Sequence, residues 1–330
     1  MNKMTRALLA GCAAALALAG CSPQTGDETA DVPNADAPRN DALCDGPAVL
    51  QVLGSGGPIA DDDRAGASYL IRRNGVPVAL IDAGSGTFLR FAQARASITP
   101  LKVIALSHFH ADHVADLAAI LNSGNFEKRE APLPIVGPAA GGIYPGLTDH
   151  LNSLFARDSG AFPYLSGYLT GEGDAPKLEI TEVDTTDSAL VTVFAQDDLA
   201  IEAMSVHHLD VPALAYRVTL GDAVVLLPGD QSFLSEDFEQ VMAGSAPDLM
   251  VIHNAIPEGP GQPRGLHRSP SSWAELVARV QPKQLVVSHN MLRALEAEED
   301  TIFDALAGDY RGNVTLASDL ACFAIKAAPQ

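Results

Sequence analysis

Residues 107–113 read Ser-His-Phe-His-Ala-Asp-His, placing three imidazoles and a carboxylate within six positions. An apolar run, Val103-Ile104-Ala105-Leu106, leads directly into them. It is short and aliphatic, and reads as a buried strand. The four polar side chains then sit at the strand's C-terminal end, where a turn can fold them around one point. His108 and His110 alternate with Phe109, so in extended backbone they share a face. Asp112 and His113 follow after one spacer and can serve a second point about 3.5–4 Å away, the separation of two-metal sites. Neutral imidazole and carboxylate suit zinc and other borderline divalent ions. The chain holds 9 histidines in 330 residues, too few for such a cluster to arise readily by chance.

The pattern His108-x-His110-x-Asp112-His113 resembles the metal signature of the metallo-β-lactamase fold superfamily, and later segments continue the likeness in order. Val78-Ala79-Leu80-Ile81 runs into Asp82-Ala83-Gly84, similar to a segment in which the aspartate hydrogen-bonds and orients the ligand loop. His208-Leu-Asp-Val-Pro-Ala-Leu-Ala-Tyr-Arg resembles the third metal motif of the branch that includes ribonuclease Z and certain arylsulfatases. On that alignment His208 is the ligand and His207 its neighbour, although adjacent histidines leave the register open. Val224-Val225-Leu226-Leu227-Pro228-Gly229-Asp230 ends in an aspartate that bridges two metals in the family. Its two oxygens suit it to that task. True β-lactamases lack this residue, which argues against antibiotic hydrolysis. His253 closes another apolar run, but Asn254 departs from the His-Glu usual there. His267 precedes a helix expected over 271–280, with Ser269 as its cap. A histidine so placed acts in proton transfer in the ribonuclease Z branch. Leu285-Val286-Val287-Ser288-His289 matches the final ligand motif.

The resemblance spans about residues 49–325 and implies an α/β (α+β) fold, the αββα four-layer sandwich, with the site at one edge of two packed sheets. His108, His110 and His208 would hold one ion; Asp112, His113 and His289 the other; Asp230 would lie between. The implied cofactors are two divalent metal ions, zinc ahead of manganese or iron. The implied enzyme is a metal-dependent hydrolase of an ester, phosphodiester or sulfate ester, using a metal-bridging hydroxide. Asp112 and His267 are its candidate catalytic residues. A lactonase or thioesterase of the same fold is the alternative, as is a non-catalytic periplasmic metal or ligand binder.

Formal net charge is −20, with 21 basic against 41 acidic residues. That balance disfavours polyanionic partners. The expectation is therefore a small-molecule ester as partner and no nucleic acid, against ribonuclease Z activity itself. Residues 1–20 carry Lys3 and Arg6 before a short apolar stretch and end Leu18-Ala19-Gly20-Cys21, which resembles a bacterial lipobox. By that resemblance Cys21 is lipidated, the protein is a cell-envelope lipoprotein on the periplasmic side of the outer membrane, and its membrane contact is the lipid alone. Residues 21–43, rich in Asp, Pro and Ala, read as a disordered tether. Residues 44–330 are the hydrolase domain, in which 125–175 look like a lid or insertion with its own small core. In it His150 is expected at the surface. The glycine-rich 54–58 reads as a tight turn. Cys44 and Cys322 are either bridged or two separate buried thiols. Oligomeric state is open.

Overall fold

The computed structural model describes residues 44–326. The leader, Cys21 and the tether lie outside the described residues. In chain order the elements are β1 (Val49–Gly54), β2 (Ser68–Arg73), β3 (Val76–Ile81), α1 (Thr87–Gln93), β4 (Val103–Ala105), α2 (Ala111–Val114), α3 (Leu117–Gly124), β5 (Leu133–Pro138), α4 (Leu147–Phe155), α5 (Gly167–Thr170) and β6 (Leu178–Val183). The second half adds β7 (Val191–Gln196), β8 (Leu199–His208), β9 (Val211–Leu220), β10 (Ala223–Leu227), α6 (Glu236–Met242), β11 (Leu249–His253), α7 (Pro270–Val280), β12 (Gln284–Ser288), α8 (Leu292–Leu295), α9 (Ile302–Ala307), β13 (Asn313–Leu316) and β14 (Cys322–Ala324).

These strands form two seven-stranded sheets, ordered β14-β1-β2-β3-β4-β5-β6 and β13-β12-β11-β10-β9-β8-β7. Each sheet is antiparallel on one side and parallel on the other. β3, β4, β10 and β11 read as continuous apolar runs because both of their faces are covered. Val103 and Ala105 face the other sheet while Ile104 faces helices, and Val225 and Leu227 alternate with Leu226 in the same way. Inward residues of both sheets share one core. The outward residues pack under helices on each side, with Phe91, Ile120, Leu151 and Phe155 over the first sheet and Phe238, Trp273, Leu276 and Ile302 over the second. Four layers result, helices outside and sheets within, as the resemblance implied. Among the described residues no helix is long and apolar enough to cross a membrane.

Several local expectations change. Residues 125–175 are not a separate insertion, because they supply β5, which lies between β4 and β6 in the first sheet. Their aromatic residues Phe155 and Tyr168 belong to that sheet's helical layer rather than to a core of their own, while Tyr164 is exposed. After β12 the chain forms two short helices, α8 and α9, separated by an acidic stretch in which Asp300 takes a left-handed φ of 53°. The second restarts on a Thr301–Asp304 capping box. Cys44 and Cys322 are joined by a disulfide across 278 positions. It fastens the start of the domain to β14, which pairs with β1.

Candidate metal centre

The C-terminal ends of β3, β4, β8, β10, β11 and β12 converge at one edge of the sandwich, and each delivers a polar group. β3 ends at Ile81, and Asp82 then turns with φ 57°. Its carboxylate accepts three hydrogen bonds: from the Ser107 backbone N–H at 2.6 Å, from Ser107 Oγ at 2.8 Å and from His113 Nδ1 at 2.8 Å. When neutral, as a metal ligand must be, His113 would thereby be held in the tautomer that leaves Nε2 free toward the centre. Ser107 Oγ donates its O–H to Asp82, so its lone pairs can accept from His108 Nδ1 at 3.1 Å, which frees His108 Nε2 in turn. His208 donates Nδ1–H to the Leu266 carbonyl at 2.7 Å. His289 follows β12 with φ 49°, its Nε2 3.1 Å from Asp112 Oδ2.

Asp230 stands in the middle, and its two oxygens do different things. Oδ1 accepts from His253 Nδ1 at 2.6 Å. Oδ2 lies 3.6 Å from His113 Nε2, 3.9 Å from His208 Nε2, 3.8 Å from His267 Nδ1 and 3.5 Å from His289 Nε2. The single oxygen Oδ2, rather than the pair, is what faces both halves of the site.

Five overlapping triads have ligand atoms all within 4.8 Å of one another: His108/His110/His208, His108/His113/Asp230, Asp112/His113/His289, His208/Asp230/His267 and Asp230/His253/His289. The first and third are the two ion sets read from the sequence. A divalent metal fits the donors. His108 Nε2, His113 Nε2 and His267 Nδ1 are buried without a hydrogen-bond partner, and an unsatisfied buried polar atom is costly unless something else meets it. Burial and neighbouring imidazoles push His108 well below its usual range, and burial lowers His110 and His208, so these rings are neutral, the form that binds metal. Burial opposes the charge on Asp112 and Asp230 as well. The imidazoles around them outweigh it and keep both carboxylates ionised, Asp112 at about 2. Burial also disfavours charge on His113 and His289, but the facing carboxylates raise both.

His267 lies with its side chain 11% exposed, its pKa pushed down to about 3 by burial. It is a neutral N–H donor in this setting, not an imidazolium. His253 touches Asp230 and, through Nε2, the Tyr69 hydroxyl at 3.1 Å. His207 points the other way along the pleat, with Nδ1 2.7 Å from Ser232 Oγ. Of the two adjacent histidines, His208 is the one brought to the cluster. His150 is half-buried rather than at the surface, stacked on Phe109 with centroids 4.6 Å apart. Ser269 occupies the first position before α7, without a side-chain cap bond.

Some contributors were not read from the sequence. Tyr69 sits mid-strand in β2 and contacts the site only because the sheets face one another. Ser107 directly precedes the motif, and its tie to Asp82 needs the β3–β4 pairing to be known. The glycine-rich loop is more than a turn: a Cβ on Gly57 would lie 2.8 Å from His289 Cε1 and 2.5 Å from Met291 Sδ, so the backbone itself backs the ring.

The chain is similar to several known proteins. Residues 79–290 match the β-lactamase superfamily domain. Ribonuclease Z of Mycobacterium marinum is 30% identical over 283 residues, covering 82% of this chain and 96% of the relative. The solved structure of the metallo-β-lactamase fold protein YhfI from Bacillus subtilis superposes with TM-score 0.64 at 18% identity, over 84% of this chain and all of that one. Human tRNase Z, short form, does so with TM-score 0.61 at 17% identity, again over 84% of this chain and all of that one. The ribonuclease Z relative overturns the expectation of no nucleic-acid partner. That expectation summed charge over the whole chain, whereas recognition of a phosphate is decided by the local field at the site. Here the local groups are a cluster of imidazoles, and bound dications would reverse the sign that the total suggests.

Proposed function

Because the chain belongs to the metallo-β-lactamase superfamily, on its ribonuclease Z branch, we propose that it is a two-metal hydrolase of phosphodiesters, with RNA in its substrate class. The observation that carries the reading is Asp230 Oδ2, one carboxylate oxygen within 3.5–3.9 Å of four imidazoles, several with unpartnered nitrogens. His108, His110 and His208 would hold one ion and Asp112, His113 and His289 the other. Divalent ions there supply positive charge against phosphate oxygens and make water acidic enough to attack near neutral pH. The chain's own groups do the rest. Asp82 and the Leu266 carbonyl fix the tautomers of His113 and His208. His253 holds Asp230 through Oδ1 and keeps Oδ2 turned inward. His267, at the rim of the cluster, donates a hydrogen bond to the leaving oxygen, which a neutral imidazole can do.

Metal content by mass spectrometry, with hydrolysis of bis(p-nitrophenyl) phosphate and an RNA transcript, tests this on wild type and Asp230→Ala. About two ions per chain and phosphodiester turnover abolished by the substitution are expected. Turnover of p-nitrophenyl sulfate or a lactone in place of both phosphodiesters would reject the substrate class, and no metal retained would reject the site. The address is proposed separately: residues 1–20 a leader, Cys21 lipidated, 21–43 a tether, 44–330 the hydrolase domain of an envelope lipoprotein. It is supported by the Leu-Ala-Gly-Cys sequence alone. The intact mass of the mature N-terminus, with or without acyl chains, decides it.

A further inference from the structure

Next to His267 lies a cation that the chemistry above does not use. Arg268 is 1% exposed, and all three of its guanidinium nitrogens are engaged. Nε and Nη2 donate to Gln231 Oε1 at 3.2 and 3.1 Å. Nη1 donates to Ser272 Oγ at 3.1 Å and pairs with Glu239 at 2.9 Å. The plane lies over the Trp273 ring, 5.7 Å from its centroid. Burying a guanidinium is expensive, and an apolar side chain of similar volume would serve a purely packing role as well. What an apolar residue would not supply is a rigid fork with several directed donors.

Two partners of that fork, Gln231 and Trp273, are one step from the metal centre. Gln231 follows Asp230 and donates on to the Pro228 carbonyl at 3.1 Å, which closes the turn carrying Asp230. Trp273 Nε1 donates to the carbonyl of His253 at 2.8 Å, and His253 in turn holds Asp230 Oδ1. Arg268 itself continues the loop in which the Leu266 carbonyl orients His208 and the Gly265 carbonyl accepts the Leu209 N–H. The His267 ring is held less directly: Nδ1 lacks a hydrogen-bond partner and stands 3.8 Å from Asp230 Oδ2, with the His208 and His289 rings beside it, so the loop that carries the ring takes a large part in aiming it.

We propose that Arg268 is a positioning residue that locks the 265–269 loop to the Asp230 turn and so aims the His267 N–H at the leaving oxygen. The proposal rests on the role given to His267 above. It predicts an effect that depends on the leaving group. A displaced donor matters little when the departing oxygen is already stable and much when it is basic, and an error of about 1 Å can cost on the order of 100-fold.

The experiment uses the metal-loaded full-length protein and two substrates, methyl p-nitrophenyl phosphate and methyl phenyl phosphate. Arg268→Met alone would leave the half-buried Glu239 without its 2.9 Å partner and with only the longer Arg279 contact at 3.5 Å, so the working variant pairs Arg268→Met with Glu239→Gln. Gln231→Leu is the second variant, removing the acceptor while Arg268 keeps its Glu239 pair. The expected result is kcat on the phenyl ester falling roughly 10- to 100-fold, kcat on the p-nitrophenyl ester within about threefold, and KM and metal stoichiometry unchanged. Introduced into His267→Ala, the pair should have no further effect on the ratio of the two rates, since the group it aims is gone. The His267 ring resonances of the metal-free protein should also move in the paired variant. Equal losses on both esters, or a ratio unchanged in both variants, would overturn the positioning role. If His267→Ala itself leaves that ratio at the wild-type value, the reading of His267 fails first and this proposal with it.

Discussion

Asp82→Asn isolates the tautomer argument from every other contribution. The backbone is undisturbed, since asparagine tolerates the left-handed φ of 57° as readily as aspartate. The side chain keeps its size but exchanges one acceptor for a donor. In the wild type both oxygens face donors: Ser107 N–H and Oγ–H, and His113 Nδ1–H at 2.8 Å. An asparagine that keeps its oxygen on the Ser107 N–H turns its amide hydrogens toward His113 Nδ1. The cheapest way to relieve that clash is for His113 to move its proton to Nε2, the atom that faces Asp112 and Asp230. Nε2 then has no lone pair to offer a metal. The lost charge-assisted bond is worth about 1.5–3 kcal/mol, and disturbing a partner of a metal-binding histidine typically costs about 10–100-fold in affinity, or about 1.4–2.8 kcal/mol. The loss should fall on the ion that the proposed Asp112, His113 and His289 set would hold, and leave the one proposed for His108, His110 and His208 nearly unchanged. Zinc titration against a chromophoric chelator resolves the two sites. A variant that binds both ions within twofold of wild type would refute the argument that Asp82 acts through the His113 tautomer.

Two further outcomes follow from the same geometry. Gly57→Ala places a methyl group within 2.8 Å of His289 Cε1; Met291 Sδ can yield but the ring is pinned, so metal affinity should fall by about 1–3 kcal/mol while secondary structure by circular dichroism stays native. Reducing the Cys44–Cys322 disulfide, which spans 278 positions, should lower stability in denaturant titration by about 2–5 kcal/mol, and an unchanged midpoint in reductant would show that β14 holds without it.

Much of the site was legible because its parts follow apolar runs. Asp82, His108, Asp230, His253 and His289 each come directly or within a few residues after a buried strand, and a strand's end is where a chain can present a ligand. The order of these segments carried the fold with them. What stayed hidden depended on contacts between distant segments. β5 contains two prolines and a glycine in six residues and reads as loop, yet it pairs in parallel on both sides because flanking strands present a slot of the right length. The stack of His150 on Phe109 joins residues 41 positions apart and leaves no local trace. Arg268 looks like an ordinary surface arginine at a helix start until Gln231, Glu239 and Trp273 are seen around it. Net charge misled for a related reason. It is a property of the sum, and the acids that dominate it include Asp184, Asp187 and Asp222, at the surface and not part of the metal cluster.

The return of β14 to the first sheet has a bearing on what orders the site's supporting loop. β1 pairs with β14 through Val49↔Ala324, so the first sheet keeps β1 as an open edge until residues 322–324 join it. Just before β14, the Asp319 carboxylate accepts from Ser55 N and Oγ, from Ala65 N and from Arg90 Nε, gathering the loop whose Gly57 backs His289. Contacts this distant in sequence form late and slowly. A chain cut at residue 300 would carry every candidate ligand, His289 the last of them, yet lack Asp319, the clasp that holds their supporting loop. Ordering of the site's supporting loop thus depends on a segment that contributes no candidate ligand of its own.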